Sequence, residues 1–422
     1  MRVLWIVNHP FPEAKALITG KQVSLIGSGG WLLGSAAAMS NQVSIDLYVA
    51  SVTPLVKELT FLQGSCCTHI AIPLGKGNMR INREYDKYWK EISERLKPDI
   101  IHIHGTEFSH GLSYLLACGS NHVVISIQGL TSVYYYYYYY GLSSWDIIKN
   151  ISFFDIYVGT LFKQKRKYKK RSIYEKQMIQ LTNNIIGRTI WDHAHVWSLN
   201  PKAKYYYCNE TLRSSFYEGD KWDYKQCQPH RIFASQASMP IKGFHQLLKA
   251  LPIVLKFFPD TKVYVAGPDL TGLCIKRNRL AISGYGRYLR SLIKENNLLG
   301  VVEFVGPISE YEMKNQYLKA NLFISASSIE NSPNSLGEAQ ILGVPCLSSY
   351  VGGVENMIPN TNCGEMYRFE EVEVLAYKIC ELFKNSKTFD NSKMIEEAQN
   401  RHDANTNVNQ TMLIYNEIIK GR

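Results

Sequence analysis

The chain has 422 residues, 45% of them hydrophobic and 20% charged. That balance fits two globular domains of ordinary size and excludes a disordered or collagen-like chain. The 47 Lys and Arg against 36 Asp and Glu leave a net charge of +11, which directs attention to anionic partners such as phosphates, nucleic acid or an anionic membrane surface.

The first residues, MRVLWIVNHPFP, hold an apolar run too short for a secretory signal and lack its small-residue cleavage site. No stretch of about 18 apolar residues occurs, so a spanning helix is not expected. The nine cysteines are scattered and form no CxxC pair. They read as buried, reduced thiols, and the expected location is cytoplasmic.

Short apolar runs ending in turn residues then alternate with longer periodic stretches. Val3–Val7, Val43–Val49, His69–Ile72, Ile100–His104 and Val123–Ile127 read as buried strands, and Arg83–Leu96 and Phe108–Ala117 as helices. Strand–helix alternation predicts an α/β fold with a parallel sheet. Residues 200–229, rich in tyrosine and single charges, interrupt the rhythm and read as a linker. The pattern restarts with strands at Arg231–Ala234, Lys262–Ala266, Val301–Val305 and Leu322–Ser325, and helices at Phe244–Phe257 and Tyr285–Asn296. The stretch Ser392–Ile419 is helical. Two parallel-sheet domains follow: residues 1–208, a linker over 209–229, residues 230–400, and a C-terminal helix over 401–422.

Two compositional features fall in the first half. Tyr134–Tyr140 is a run of seven tyrosines, and Lys163–Arg171 holds seven basic residues of nine. The tyrosine run suits an amphipathic segment at a wet interface or a partly packed surface segment. The basic block suits an anionic surface or a solvated helix face.

Parallel sheets bind ligands beyond the carboxyl ends of their strands. After Leu322–Ser325 comes SSIENSPNSLGEA, residues 327–339. A loop carries Glu330, and Asn334 or Ser335 is placed to cap a helix that carries Leu336 and Glu338. The exposed N–H groups and dipole of such a helix start suit a diphosphate. Ser335-x-x-Glu338 also matches a capping box, in which Glu338 only caps its own helix.

The stretch from Glu330 to Glu355 is similar to the donor site of retaining GT-B glycosyltransferases of family 4, the group 1 enzymes of bacterial surface-polysaccharide synthesis. It carries Glu330-x7-Glu338, then Ala339-x3-Gly343-x-Pro345, then Gly352-Gly353-Val354-Glu355. Pro240-Ile241-Lys242-Gly243 resembles the family segment whose lysine holds the donor diphosphate. The resemblance implies two Rossmann-like domains facing a cleft, with the last helix returning to the first domain. It implies that Lys242 and Glu330 act at the reacting centre, and that Glu338, Asn334, Ser335 and Leu336 bind donor. It also puts backbone near Ile308 on the nucleobase, and Gly29 and Gly30 near the diphosphate.

Two positions depart from the family pattern. Ala237 stands where many relatives have an arginine, so another cation must serve; Arg188 and Arg213 are candidates. Gln128 stands where many have a histidine facing the transferred sugar, and it can bond a sugar hydroxyl but carries no charge. His102, His104, Glu107 and His110 could be drawn as a metal set, but their strand and helix placement argues against one. No DxD occurs, and no metal or cofactor is expected.

The expected activity is metal-independent, retaining transfer of a sugar from a nucleotide-diphosphate sugar to a hydroxyl. A lipid-linked glycan is the expected acceptor, at the inner face of the cell membrane. The alternatives are a GT-B nucleotide-sugar epimerase, which needs an acid–base pair around the sugar, and a basic nucleic-acid-binding protein, which needs stacking aromatics among its cations. Only Tyr168 lies within the basic block.

Overall fold

The computed structural model describes residues 1–21, 30–42, 44–74, 83–273 and 281–421. They form two compact units that do not follow chain order. One contains Met1–Val133, Tyr168–Leu212 and His402–Arg422; the other contains Tyr134–Lys167 and Arg213–Arg401. Residues 134–167 therefore pack with the second unit although they lie among the first 208.

In the first unit eight strands form one sheet: β1 (Arg2–Val7), β2 (Asp46–Thr53), β3 (Thr60–Gln63), β4 (Thr68–Pro73), β5 (Ile100–His104), β6 (Val123–Ser126), β7 (Asn184–Gly187) and β8 (Lys204–Tyr207). Their order is β3-β4-β2-β1-β5-β6-β7-β8. All pairs are parallel except β3 with β4. The continuous apolar character of β1 follows from burial on both faces. Val3, Trp5 and Val7 pack on one side with Leu47, Ile100 and Tyr415. Leu4 and Ile6 pack on the other with Trp89 and Leu112. Each such side chain contributes about 1.5–3 kcal/mol by leaving water. The final helix, Ala404–Ile419, belongs to this unit, and Trp5 Nε1 donates to Tyr415 Oη at 3.0 Å.

The second unit has six parallel strands: β9 (Arg231–Ala234), β10 (Lys262–Ala266), β11 (Val302–Gly306), β12 (Leu322–Ser325), β13 (Cys346–Ser349) and β14 (Glu365–Tyr367). Their order, β11-β10-β9-β12-β13-β14, reverses direction between β9 and β12.

Several expectations change. β2 begins at Asp46, and Val43 lies outside the described residues. The stretch 200–229 is not merely a linker. It contains β8, the buried Phe216, and Trp222, whose indole N–H donates to Ala320 O at 2.6 Å. The helical tail divides into Ser392–His402 and Ala404–Ile419, because Asp403 caps the second helix through the Thr406 N–H at 2.7 Å. The tyrosine run is a partly packed segment. Tyr136 and Tyr140 are exposed, whereas Tyr138 is buried and donates to Gln164 Oε1.

Candidate functional site

The reversal between β9 and β12 opens a crevice at the carboxyl ends of these two strands, the place where open parallel sheets take ligands. A cavity lies there. Ala234, Ser235 and Gln236 line it at the end of β9, and Ser325, Ala326 and Ser327 at the end of β12; Lys242, Glu330 and Ser335 line it from the segments that follow.

Lys242 ends the short turn Pro240–Lys242, and Glu330 lies in the loop after β12. Lys242 Nζ donates to Glu330 Oε1 at 2.6 Å, and Ser327 Oγ donates to the same oxygen at 2.7 Å. The lysine side chain is 28% exposed and the glutamate side chain 11%. The pair thus sits at the wall of the cavity, with the cation on the wetter side.

Two glycines explain how these groups come so close. Gly243 follows Lys242 with φ +65°, and a Cβ at that position would lie 1.7 Å from Ala326 O. Gly352 has φ +54°, and its Cβ would lie 1.9 Å from Glu330 O. The Gly353 N–H donates to that same carbonyl at 3.1 Å. Both positions need a left-handed backbone and no side chain. Gly243→Ala is expected to destabilise the protein by about 1–3 kcal/mol from the backbone alone, with the clash added. Urea unfolding of the variant measures it, and an unchanged midpoint would refute the tight approach.

The helix Asn334–Leu342 starts beside Glu330. Its N-cap is Pro333, with no side-chain cap bond, so neither Asn334 nor Ser335 caps it and the capping-box reading of Glu338 fails. The Leu336 and Gly337 N–H groups close the first turn on Pro333 O at 3.0 and 3.2 Å, and the Leu336 side chain is buried. Glu338 faces inward. Its Oε1 accepts from Arg213 Nε at 2.8 Å and Nη2 at 2.7 Å, and its Oε2 accepts from Tyr317 Oη at 3.3 Å. Burial pulls the Arg213 pKa down, but the Glu338 carboxylate outweighs this and holds it above the ordinary value. Arg213 is therefore committed to Glu338. No spacing rule links two residues 125 positions apart, and the cavity hydroxyls of Ser235, Ser325 and Ser327 were equally invisible in the sequence.

The remaining candidates are dispersed. Ile308 follows β11 and is half-buried. Arg188 and Gln128 belong to the first unit, as does Gly30, which opens the helix Gly30–Ser40; Gly29 lies outside the described residues. Arg188 is buried, paired with Glu210, and donates to Ile127 O. His102 and His104 stack at 3.8 Å between ring centroids. The two His102 ring nitrogens contact Tyr415 Oη at 2.5 Å and Ser126 Oγ at 2.6 Å, which engages both possible metal-ligating atoms. Burial pushes the His102 pKa down to about 3. Glu107 accepts from Asn8 Nδ2 at 3.0 Å and the Gly129 N–H at 3.3 Å, and burial raises its pKa to about 7. Among the described residues, no group of three or more His, Cys, Asp or Glu could hold a metal ion.

Residues 226–401 match the family described as glycosyl transferases, group 1. A Salmonella typhimurium protein named as a colanic acid biosynthesis glycosyltransferase, WcaL, is 24% identical over 173 residues, 37% of this chain and 43% of that protein. The chain thus matches less than half the length of that relative. Among solved structures, a sucrose-phosphate synthase from Thermosynechococcus elongatus superposes with a TM-score of 0.73 at 15% identity, covering 100% of both chains. Anabaena HepE, solved with UDP-glucose, gives 0.64 at 13% identity over 98% of this chain and 99% of that one. The fold is GT-B, with two parallel-sheet units.

Proposed function

From a group 1 glycosyltransferase match over residues 226–401, we propose that the chain is a retaining glycosyltransferase that moves a sugar from a nucleotide-diphosphate sugar to a hydroxyl. The observation that carries this reading is the Lys242–Glu330 pair at the β9/β12 crevice, beside the start of the helix Asn334–Leu342. A lysine at a loop–helix junction and a helix N-terminus are the means by which a protein neutralises a diphosphate without a metal.

In the resting pair, Glu330 holds the lysine at the cavity. An incoming diphosphate takes over Lys242 and frees the Glu330 carboxylate to accept from a sugar hydroxyl. The bond between the sugar C1 and the diphosphate oxygen then breaks, with the electron pair leaving on the phosphate. Lys242 and the helix start stabilise that developing charge. The acceptor oxygen bonds to C1 on the same face, and its proton passes to the departing phosphate oxygen, so no side-chain base is required. Asn334, Ser335 and Leu336 belong to the donor side through their helix start. Glu338, held by Arg213, is assigned to the ribose, and backbone at Ile308 to the base.

The acceptor in this reading is a lipid-linked glycan of cell-surface polysaccharide, such as a capsule. The chain would then work as a peripheral protein on the inner face of the cell membrane. Its +11 charge supports an anionic surface. No helix among the described residues is long and apolar enough to cross a membrane.

A thermal-shift screen of UDP, GDP and ADP tests the donor assignment. One of them, at about 100 times its Kd, should stabilise the protein by roughly 2.7 kcal/mol. The matching nucleotide sugar should be slowly hydrolysed without acceptor, and at the same rate in EDTA. Loss of that activity in EDTA with recovery in Mg²⁺ or Mn²⁺ would refute the metal-independent mechanism. An epimerised free sugar as the sole product would refute transfer.

A further inference from the structure

Residues 144–158 present an unusual surface. Trp145 is 69% exposed, Phe153 64%, Ile156 65% and Tyr157 82%, with Ile148 and Phe154 exposed beside them. They lie on two short helices, Ser144–Lys149 and Phe153–Val158. Scattered apolar residues on a surface are ordinary, but six large ones within thirteen positions form a patch that needs an occupant.

The segment is firmly built. Ser143 and Asp146 form a capping box on the first helix, and Ser152 and Asp155 form one on the second. Asp155 also accepts from the Gly284 N–H at 2.9 Å, and Arg287 Nη1 donates to Ile151 O at 2.9 Å. Leu142, Ile147 and Leu161 turn inward to line a small cavity with Tyr285 and Tyr288. The inward residues fasten the segment to its own unit, so the outward apolar ones are displayed by a fixed platform.

Charge selects the occupant. Asp146 and Asp155 are the only acidic residues from 141 to 167, and both are consumed by the caps. Lys149, Lys163, Arg166 and Lys167 are exposed. Gln164 Nε2 donates to Gly159 O at 2.8 Å, which ties the basic helix start to the end of the second apolar helix. An apolar patch with Trp and Tyr among its residues and only cations beside it has the composition of an interfacial lipid-binding element.

We propose that residues 144–158 insert into the headgroup region of an anionic bilayer, while Lys149, Lys163, Arg166 and Lys167 engage lipid phosphates. This deepens the membrane-acting reading above and rests on it for its purpose. It sets the contact on the two helices that follow the partly packed tyrosine run.

The full-length protein is tested by co-sedimentation with phosphatidylcholine vesicles and with phosphatidylcholine–phosphatidylglycerol vesicles at low salt. Binding to the anionic vesicles is expected. The Phe153→Glu/Ile156→Glu/Tyr157→Glu variant should weaken it at least about tenfold, equivalent to about 1.4 kcal/mol. Lys163→Gln/Arg166→Gln/Lys167→Gln should weaken it and remove the preference for anionic lipid, whereas Tyr136→Ser/Tyr140→Ser should bind as the wild type does. Unchanged melting temperatures establish that each variant is folded, and Trp145→Ser supplies a milder substitution if the triple glutamate variant is not. No binding by the wild type, or undiminished binding by the folded apolar variant, overturns the proposal. So does a wild-type dimer that fails to bind vesicles and that the glutamates dissociate, because the patch would then cover a second copy. A nucleotide thermal shift that fails while vesicle binding persists refutes the transferase reading and leaves this one standing.

Discussion

Lys242→Met and Glu330→Gln are each expected to lower turnover at least about tenfold, about 1.4 kcal/mol of barrier. The two substitutions remove different things. Lys242→Met takes the cation from the departing diphosphate, a charge that matters most in the transition state. Glu330→Gln keeps the shape of the loop but weakens acceptance from the sugar. Because both side chains meet at one carboxylate oxygen, at 2.6 Å, their effects should not add, and the double variant should cost less than the sum. Melting temperature separates chemistry from folding. If either variant turns over donor at the wild-type rate, its residue leaves the reacting centre. If activity falls only in step with loss of folded protein, the pair is structural.

The second large effect concerns stability. Arg213→Met leaves the Glu338 carboxylate, 8% exposed, without its cation. Breaking a buried pair from one side costs about 3–5 kcal/mol, because an uncompensated charge remains inside. Replacing both partners, as Arg213→Met/Glu338→Leu, should return most of that loss. Urea unfolding of the two single variants and the double closes the cycle. An Arg213→Met variant within about 1 kcal/mol of wild type would mean that Glu338 is not held by this pair. The same variants separate a capping role from a pairing role. A capping glutamate would be indifferent to Arg213.

Much of the architecture was legible in the sequence where burial on both faces imposes a continuous apolar run. β1, β5, β9, β10 and β12 fall within a residue of their expected limits for that reason. β3, β7 and β8 were not legible. β3 and β8 are the sheet edges, and an edge strand need not be apolar on both faces. The family resemblance implied that Lys242 and Glu330 share one site, and its motifs contained the glycines without revealing their purpose. That purpose is the close approach of Gly243 to Ala326 and of Gly352 to Glu330. Spacing could not reveal that Glu338 turns to Arg213, because a capping box and a buried ion pair share one local sequence. Nor could chain order assign residues 134–167 to the second unit, since that membership depends on contacts such as Asp155 with Gly284.

The interleaving of the two units has a consequence during synthesis. The chain changes units after Val133, Lys167, Leu212 and Arg401. On the ribosome, β1 emerges long before Val408, Ile414 and Tyr415, which complete the face that carries Val3, Trp5 and Val7. Residues 134–167 likewise wait for Gly284. Neither unit can mature as a vectorial, N-terminal-first domain. The nascent chain must carry unsatisfied apolar surface until the residues after Arg401 emerge, and a stalled or truncated product ending before residue 402 is a natural client for holdase chaperones.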